Sequence, residues 1–386
     1  MQSVLQRPSA FVCAAVLIYL TVLGSASLRA AQQGGRAPGS VGAPLPAERT
    51  GADVFQAACA TCHASDGRGS PRSVVGFDVP IRDFTDCTAS AEPSPDWFAV
   101  VHEGGPVRAL DRHMPAFGEA LTAEDIEKVV DHLRTFCADQ AAWPQGDLNF
   151  PRAFFTEKAF PENETVWTTD VSTKGDNAVG NQLVYERRFG ARNQLEVIVP
   201  VDLHETEGTW VRGIGDLAFA LRRTFFASMK SGTIAAAGAE VAIPTGNEDK
   251  GLGNGYAIYE PFAMWGQMLP HNSYLQMHGG FEFPSDSSKG TKEAYLRTAL
   301  GTTFAQARGF GRAWSPQVEL LWARPFGRSS EWDVVPQIQV SLSKLQHVLI
   351  AGGVRVPLTE REERHPQLLV YFLWDWFDGG LFSFWK

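Results

Sequence analysis

Two spacings of apolar residues divide this chain. Between residues 121 and 134, Ile126, Val129, Val130 and Leu133 recur three and four apart, which predicts one amphipathic helix with a single buried stripe. Thr122, with Asp125 three residues on, reads as the capped start of that helix, and Leu121 and Ile126 can close a hydrophobic staple across it. His132 falls off the stripe, as a solvated surface histidine would. From about residue 165 the spacing becomes two. Leu195, Val197, Val199 and Val201 alternate with Gln194, Glu196, Ile198 and Pro200. Leu217, Phe219, Leu221 and Phe225 alternate with Ala218, Ala220, Arg222 and Thr224. Trp332, Val334, Ile338, Val340 and Leu342 alternate with Asp333, Gln337, Gln339 and Ser341, and a further segment runs through Val348 to Val356. About twelve such segments of roughly ten residues follow one another, the length a strand needs to cross an outer membrane.

One face of these strands is apolar, and the other mixes small residues with Glu196, Arg222, Glu240, Arg297, Glu319 and Arg355. A soluble β-sandwich has shorter strands and turns its polar face outward. Charges suit a water-filled or paired lumen and apolar groups suit lipid, so the pattern predicts an all-β transmembrane barrel of about 12 antiparallel strands over residues 165–386. Trp210, Tyr256, Trp265, Tyr274, Trp314, Trp322 and Trp332 near strand ends are candidates for interfacial girdles. Phe189–Asn193, Ala227–Gly232, Leu269–Asn272 and Lys344–His347 read as short turns. Asp202–Gly215, Thr245–Gly255, Pro284–Glu293 and Leu358–Gln367 read as long polar loops between them. That asymmetry is the one expected between the periplasmic and outer faces of a bacterial barrel.

The N-terminus reads as an export signal over residues 1–27, with Arg7, an apolar run from Ala10 to Leu23 and small residues at Gly24 to Ser27. An uncleaved anchor is the rival reading, although the run is short of the ~20 residues that span a bilayer. A Gly-, Ala- and Pro-rich linker occupies residues 28–49, and a Pro- and aromatic-containing connector residues 138–164. The net charge of −9 speaks against a nucleic-acid partner, which would call for a basic patch.

Of the five cysteines, Cys13 leaves with the signal. Cys59-Ala-Thr-Cys62-His63 carries the chemistry: thiols three apart on a helical turn share a face and can reach both vinyl groups of one porphyrin, and His63 then points at the iron. A zinc site would need a second ligand pair at finger-like spacing, and none occurs downstream. The residues therefore predict one covalently attached haem c. Its sixth ligand is expected from Met114, in His113-Met114-Pro115-Ala116-Phe117, with His113 and His102 as rivals. A His/Met pair raises the haem potential relative to two imidazoles. Two spare thiols in an oxidising compartment suggest a Cys87–Cys137 disulfide.

Residues 50–137 resemble a class I monohaem cytochrome c. The resemblance is carried by Phe55 four residues before Cys59, by Asp66-Gly67-Arg68-Gly69 after the motif, by the Met-Pro-Ala-Phe loop and by a final helix ending in Leu133-Arg134-Thr135-Phe136. It implies an all-α domain in which the first and last helices cross over one haem edge, with Phe55 and Leu133 placed to cover it. The whole chain is similar to cytochrome–porin fusions, some of which act as outer-membrane iron oxidases. The C-terminal Phe384-Trp385-Lys386 runs one residue past the aromatic stop such barrels use.

The expected function is a one-electron carrier held in outer-membrane lipid, its haem domain in the periplasm, exchanging electrons with periplasmic redox proteins. An outer-membrane oxidase or reductase for an extracellular donor such as ferrous iron is the alternative, and a porin with a structural haem a third reading. A six-coordinate haem has no open position, which favours a carrier over an enzyme.

Overall fold

The computed structural model describes residues 49–108, 110–173, 178–206, 208–307, 310–344 and 346–375. The expected signal peptide, nearly all of the linker and the C-terminal aromatic run lie outside them.

The first helical segment has three pieces: α1 (Gly51–Val54), a π-helical turn (Phe55–Cys59) and α2 (Ala60–His63). It is followed by α3 (Arg72–Val75), α4 (Ser94–Glu103) and α5 (Ala123–Arg134). α5 starts with the capping box that its sequence predicts: the Thr122 hydroxyl accepts from the Asp125 N–H at 3.1 Å, and the Asp125 carboxylate accepts from the Thr122 N–H at 3.2 Å. α1 and α5 touch at Gly51, where a Cβ would stand 2.0 Å from the Lys128 carbonyl oxygen, so only glycine allows the approach. Beyond that point Val54 and Phe55 pack on Ile126, Val129, Val130 and Leu133 in one buried core. Each such side chain contributes about 2 kcal/mol of burial. His132 does not stand in solvent as its position predicts. It is half-buried, its ring 5.4 Å from that of Phe55 and 5.1 Å from that of Phe136, because the helix end turns under the first helix.

The second half is one antiparallel sheet of fourteen strands. They are β1 (Glu164–Ser172), β2 (Ala178–Phe189), β3 (Asn193–Thr206), β4 (Thr209–Ile214), β5 (Leu217–Ser228), β6 (Thr233–Ile243) and β7 (Ile258–Leu269). Then come β8 (Ser273–Pro284), β9 (Glu293–Thr302), β10 (Phe304–Ala307), β11 (Phe310–Pro325), β12 (Glu331–Ser341), β13 (Val348–Pro357) and β14 (Gln367–Asp375). β1 pairs with β14 from Glu164↔Asp375 to Ser172↔Gln367, which closes the ring. Twelve strands form the barrel, while β4 folds back on β3 and β10 on β11 as hairpin extensions. The predicted loop Asp202–Gly215 is thus largely a hairpin.

The alternation read from the sequence sorts as inside and outside. Gln194, Glu196, Arg222 and Glu319 are buried, whereas Leu195, Leu221, Phe225 and Trp332 are exposed. This inverts a soluble protein and leaves an apolar band around the outside. A bulge between Thr224 and Phe226 turns both Phe225 and Phe226 outward. Tyr274 departs from its predicted place in a girdle. It is 2% exposed, shares the inward parity of Gln276 and His278, and donates to Gln317 Oε1 at 3.2 Å.

The connector is not a tether outside the barrel. Residues 149–163 run into the lumen and return to start β1, and Ala153, Thr156, Lys158, Ala159, Phe160 and Glu162 are buried there. Strands around the whole ring hold its backbone. Gln276 on β8 donates to the Pro151 carbonyl at 2.9 Å, and Gln317 on β11 and Tyr371 on β14 each donate to the Arg152 carbonyl at 2.8 Å. Arg188 on β2 donates to the Pro161 carbonyl at 3.1 Å, and Thr224 on β5 to the Ala159 carbonyl at 2.7 Å. The Arg152 guanidinium donates to Glu164 at 2.8 Å and Glu186 at 2.5 Å, and Lys158 to Glu162 at 2.6 Å. Glu164 and Glu186 on the inner wall are thereby paired by the segment that fills it.

Candidate haem site and its seat on the barrel

Cys59 closes the π-helical turn, and Cys62 and His63 end the short helix after it. Ala64 then takes a positive φ of 57°, which stops the helix and sends the chain back over the motif. Gly69 N–H donates to the His63 carbonyl at 2.9 Å and Ser70 N–H to the Cys62 carbonyl at 2.8 Å. Phe84 N–H donates to the Gly67 carbonyl at 2.8 Å, setting the Phe84 ring against that of His63 with centroids 4.7 Å apart. Phe84 belongs to the helical core, and Cys59, Trp97, Met114, Phe117 and Phe136 pack on its margin. The motif and the Met114 loop therefore meet one apolar surface.

The loop is anchored to the end of α4. Gly105 N–H donates to the Met114 carbonyl at 2.9 Å, Phe117 N–H to the Val101 carbonyl at 2.9 Å and Gly118 N–H to the His102 carbonyl at 3.0 Å. Met114 is half-buried, as a thioether reaching over a cofactor would be. Each of the two rival ligands meets a carboxylate through Nδ1. His113 Nδ1 lies 2.5 Å from Asp111 Oδ1 and its ring stacks on Phe77 at 4.4 Å. His102 Nδ1 lies 2.7 Å from Glu103 Oε1 and its ring stacks on Phe98 at 5.6 Å.

These residues fit a haem. Cys59 and Cys62 are both free thiols, while Cys87 and Cys137 are joined in a disulfide that ties a 3-10 turn (Cys87–Ala91) to the chain just after α5. Burial, together with the neighbouring Cys62, pushes the Cys59 thiol up to about 11. Burial also lowers His63, which keeps its imidazole neutral and able to ligate. The His63 ring is held by the Arg82 backbone, the kind of outer partner that orients a ligating imidazole, and Trp97 Nε1 is buried beside Phe84 without a hydrogen-bond partner.

Sequence reasoning did not single out Phe84, Trp97 or Arg134. Arg134 is 3% exposed, lies 5.5 Å above the Trp97 ring and donates to the Ser90 and Glu92 carbonyls at 3.0 and 2.9 Å. A charged residue in the last turn of an amphipathic helix gives no sign that it points inward.

The helical domain sits at the end of the barrel that carries the short turns, the start of β1 and the end of β14. Arg108 bridges Glu92 at 2.6 Å and Asp96 at 2.9 Å, and reaches His347 in the β12–β13 turn at 3.3 Å. Arg192, in the β2–β3 turn, donates to the Ala141 and Ala142 carbonyls, each at 2.6 Å. The Asp147 carboxylate accepts from the Ser94 N–H at 3.1 Å and its hydroxyl at 2.8 Å, binding the connector to the start of α4. Burial raises Asp96 to about 7 against the pull of Arg108. Burial, reinforced by Arg108, lowers His347 to about 4.

Residues 46–133 match the family model for cytochrome c oxidase, cbb3-type, subunit III. Among curated proteins none matches the chain. Similar solved structures include an outer-membrane channel from Pseudomonas putida F1, at 13% identity and TM-score 0.41 over 58% of this chain and 99% of that one. The NanC porin is similar at 7% identity and TM-score 0.39, over 55% of this chain and 98% of that one. The KdgM porin is similar at 10% identity and TM-score 0.37, with the same coverage. The family match makes the helical domain a cytochrome c domain, which implies a haem cofactor and electron transfer. A cytochrome c domain followed by a closed twelve-strand β-barrel is the organisation of a cytochrome–porin fusion.

Proposed function

We propose that this protein is an outer-membrane-anchored c-type cytochrome that carries single electrons between periplasmic redox partners. One haem, bonded to Cys59 and Cys62 and ligated by His63 and Met114, supplies a one-electron couple. The chain's own part is to hold that group. Phe84 fixes the His63 ring, Gly105 and Phe117 fix the Met114 loop, and the core behind them excludes water. The observation that carries the reading is the seat of the helical domain on the short-turn end of the barrel, where Arg108 meets His347 and Arg192 meets the connector. Short turns face the periplasm in bacterial barrels. From there an electron would have to cross ~30 Å of hydrocarbon thickness to reach the outside, too far for one unrelayed step. A periplasmic partner is therefore favoured over an extracellular donor such as ferrous iron.

A cysteine at exposed Glu119 tests the topology. Glu119→Cys is expected to react with an impermeant biotin reagent in permeabilised cells and not in intact ones. Labelling of intact cells would instead support the outer-membrane oxidase.

A further inference from the structure

We propose that the barrel is a cation pore held shut by residues 149–163, with Glu319 as the latch. The wall charges, the latch and the space around the segment point the same way. One cavity of about 460 Å³ opens toward the short turns, beside Asn272 and His347. Another of about 380 Å³ opens toward the long loops, beside Asp202 and Asn254. Residues 149–163 lie between the two, bonded to strands on every side of the ring. Space on both sides of one crossing segment is the layout of a closed conduit rather than of a solid core.

The latch is a single carboxylate. Glu319, fully buried on β11, accepts from three successive backbone N–H groups: Phe154 at 3.0 Å, Phe155 at 3.1 Å and Thr156 at 2.6 Å. The Thr156 hydroxyl at 2.7 Å and Gln337 Nε2 at 2.6 Å complete its shell. Three successive peptide N–H groups aimed at one oxygen pair form a nest, and the Glu319 carboxyl group is its occupant. Five donors converge on this one side chain, so the segment's closed position depends heavily on it.

The sign of the wall sets the selectivity. Toward the long loops Glu240 stands opposite Glu260 and Glu282 opposite Glu293 in register. The segment is itself neutral, Arg152 and Lys158 balancing Glu157 and Glu162, so displacing it leaves the sign of the wall, where Glu164, Glu186 and Glu196 add to those two carboxylate pairs and outnumber the arginines. The emptied lumen would carry net negative charge and pass cations.

The test is current through planar bilayers holding the full-length protein with a KCl gradient across them. The wild type is compared with Glu319→Gln and with a variant in which residues 150–160 are replaced by Gly and Ser. Wild type is expected to stay closed, Glu319→Gln to open intermittently, and the replacement variant to conduct steadily with a cation-selective reversal potential. Haem spectra are expected to be unchanged throughout, which separates this inference from the electron-carrier reading. The idea is overturned if wild type conducts as freely as the replacement, or if the replacement stays closed or prefers anions. Heat-modifiable migration on gels reports the folded barrel. Should Glu319→Gln fail that check, the replacement variant decides the matter. A replacement that cannot fold would equally overturn the proposal, since the segment would then be core and not closure.

Discussion

The expectation of covalent haem at Cys59 and Cys62 rests on local spacing, two thiols and an imidazole within one helical turn. Cys59→Ala together with Cys62→Ala is expected to abolish haem staining on denaturing gels, and each single change to weaken it. Full staining of the double variant would end the covalent-haem reading. Met114 is expected as the sixth ligand for a related reason, since a proline after it forces an extended loop. Met114→Ala is expected to remove the near-infrared sulfur-to-iron band of the oxidised protein and to lower its potential, a hard ligand replacing a soft one. A persistent band would assign the ligand to another methionine. Phe84, Trp97 and Arg134 were not legible. They meet the motif only through tertiary folding, and neither periodicity nor spacing marks a side chain whose partners are remote.

Helices and strands were read well wherever a period was sustained. The stripe Ile126–Leu133 and its capping box stand as the sequence predicts, and so does the inward set Glu196, Arg222 and Glu319. What the period does not encode is local shift. The bulge at Phe225–Phe226 depends on cross-strand register, which one strand alone does not reveal, whereas the inward turn of Tyr274 follows the parity of its own strand. Between elements, the Cys87–Cys137 bridge closes a separation of 50 residues across the helical domain. Replacing both cysteines by serine is expected to cost about 2–4 kcal/mol, chiefly by freeing the unfolded chain. Thermal unfolding followed at the haem band measures it. An unchanged midpoint would show that the helical core alone fixes those ends.

On the scale of the whole molecule, the joint between helical domain and barrel is where pH acts. Asp96 has its folded value raised to about 7, so its contribution to stability is complete below the ordinary aspartate value and is lost as pH rises through 7. His347 has its folded value lowered to about 4, so its contribution is complete above the ordinary histidine value and is lost as pH falls through 4. Asp96→Asn is therefore expected to flatten the fall in melting temperature between pH 5 and pH 8. An identical slope in both proteins would exclude Asp96 as its source. The division into a helical and a β half was plain from the sequence, but the filling of the lumen was not. The connector has no period, and its aromatics and charges look like those of any polar linker. Its partners also lie far along the chain: Glu319 bonds to Thr156 across 163 residues, and Tyr371 to Arg152 across 219. That separation fixes an order of events in the life of the chain. The segment is made before any strand of the barrel, yet its bond to Tyr371 waits for the last strand. Until β14 arrives, the Arg152 carbonyl lacks the Tyr371 hydroxyl that holds it. Closing the seam between β1 and β14 and seating the connector thus become one late step, and a cytochrome held on that connector is docked only when the barrel is whole.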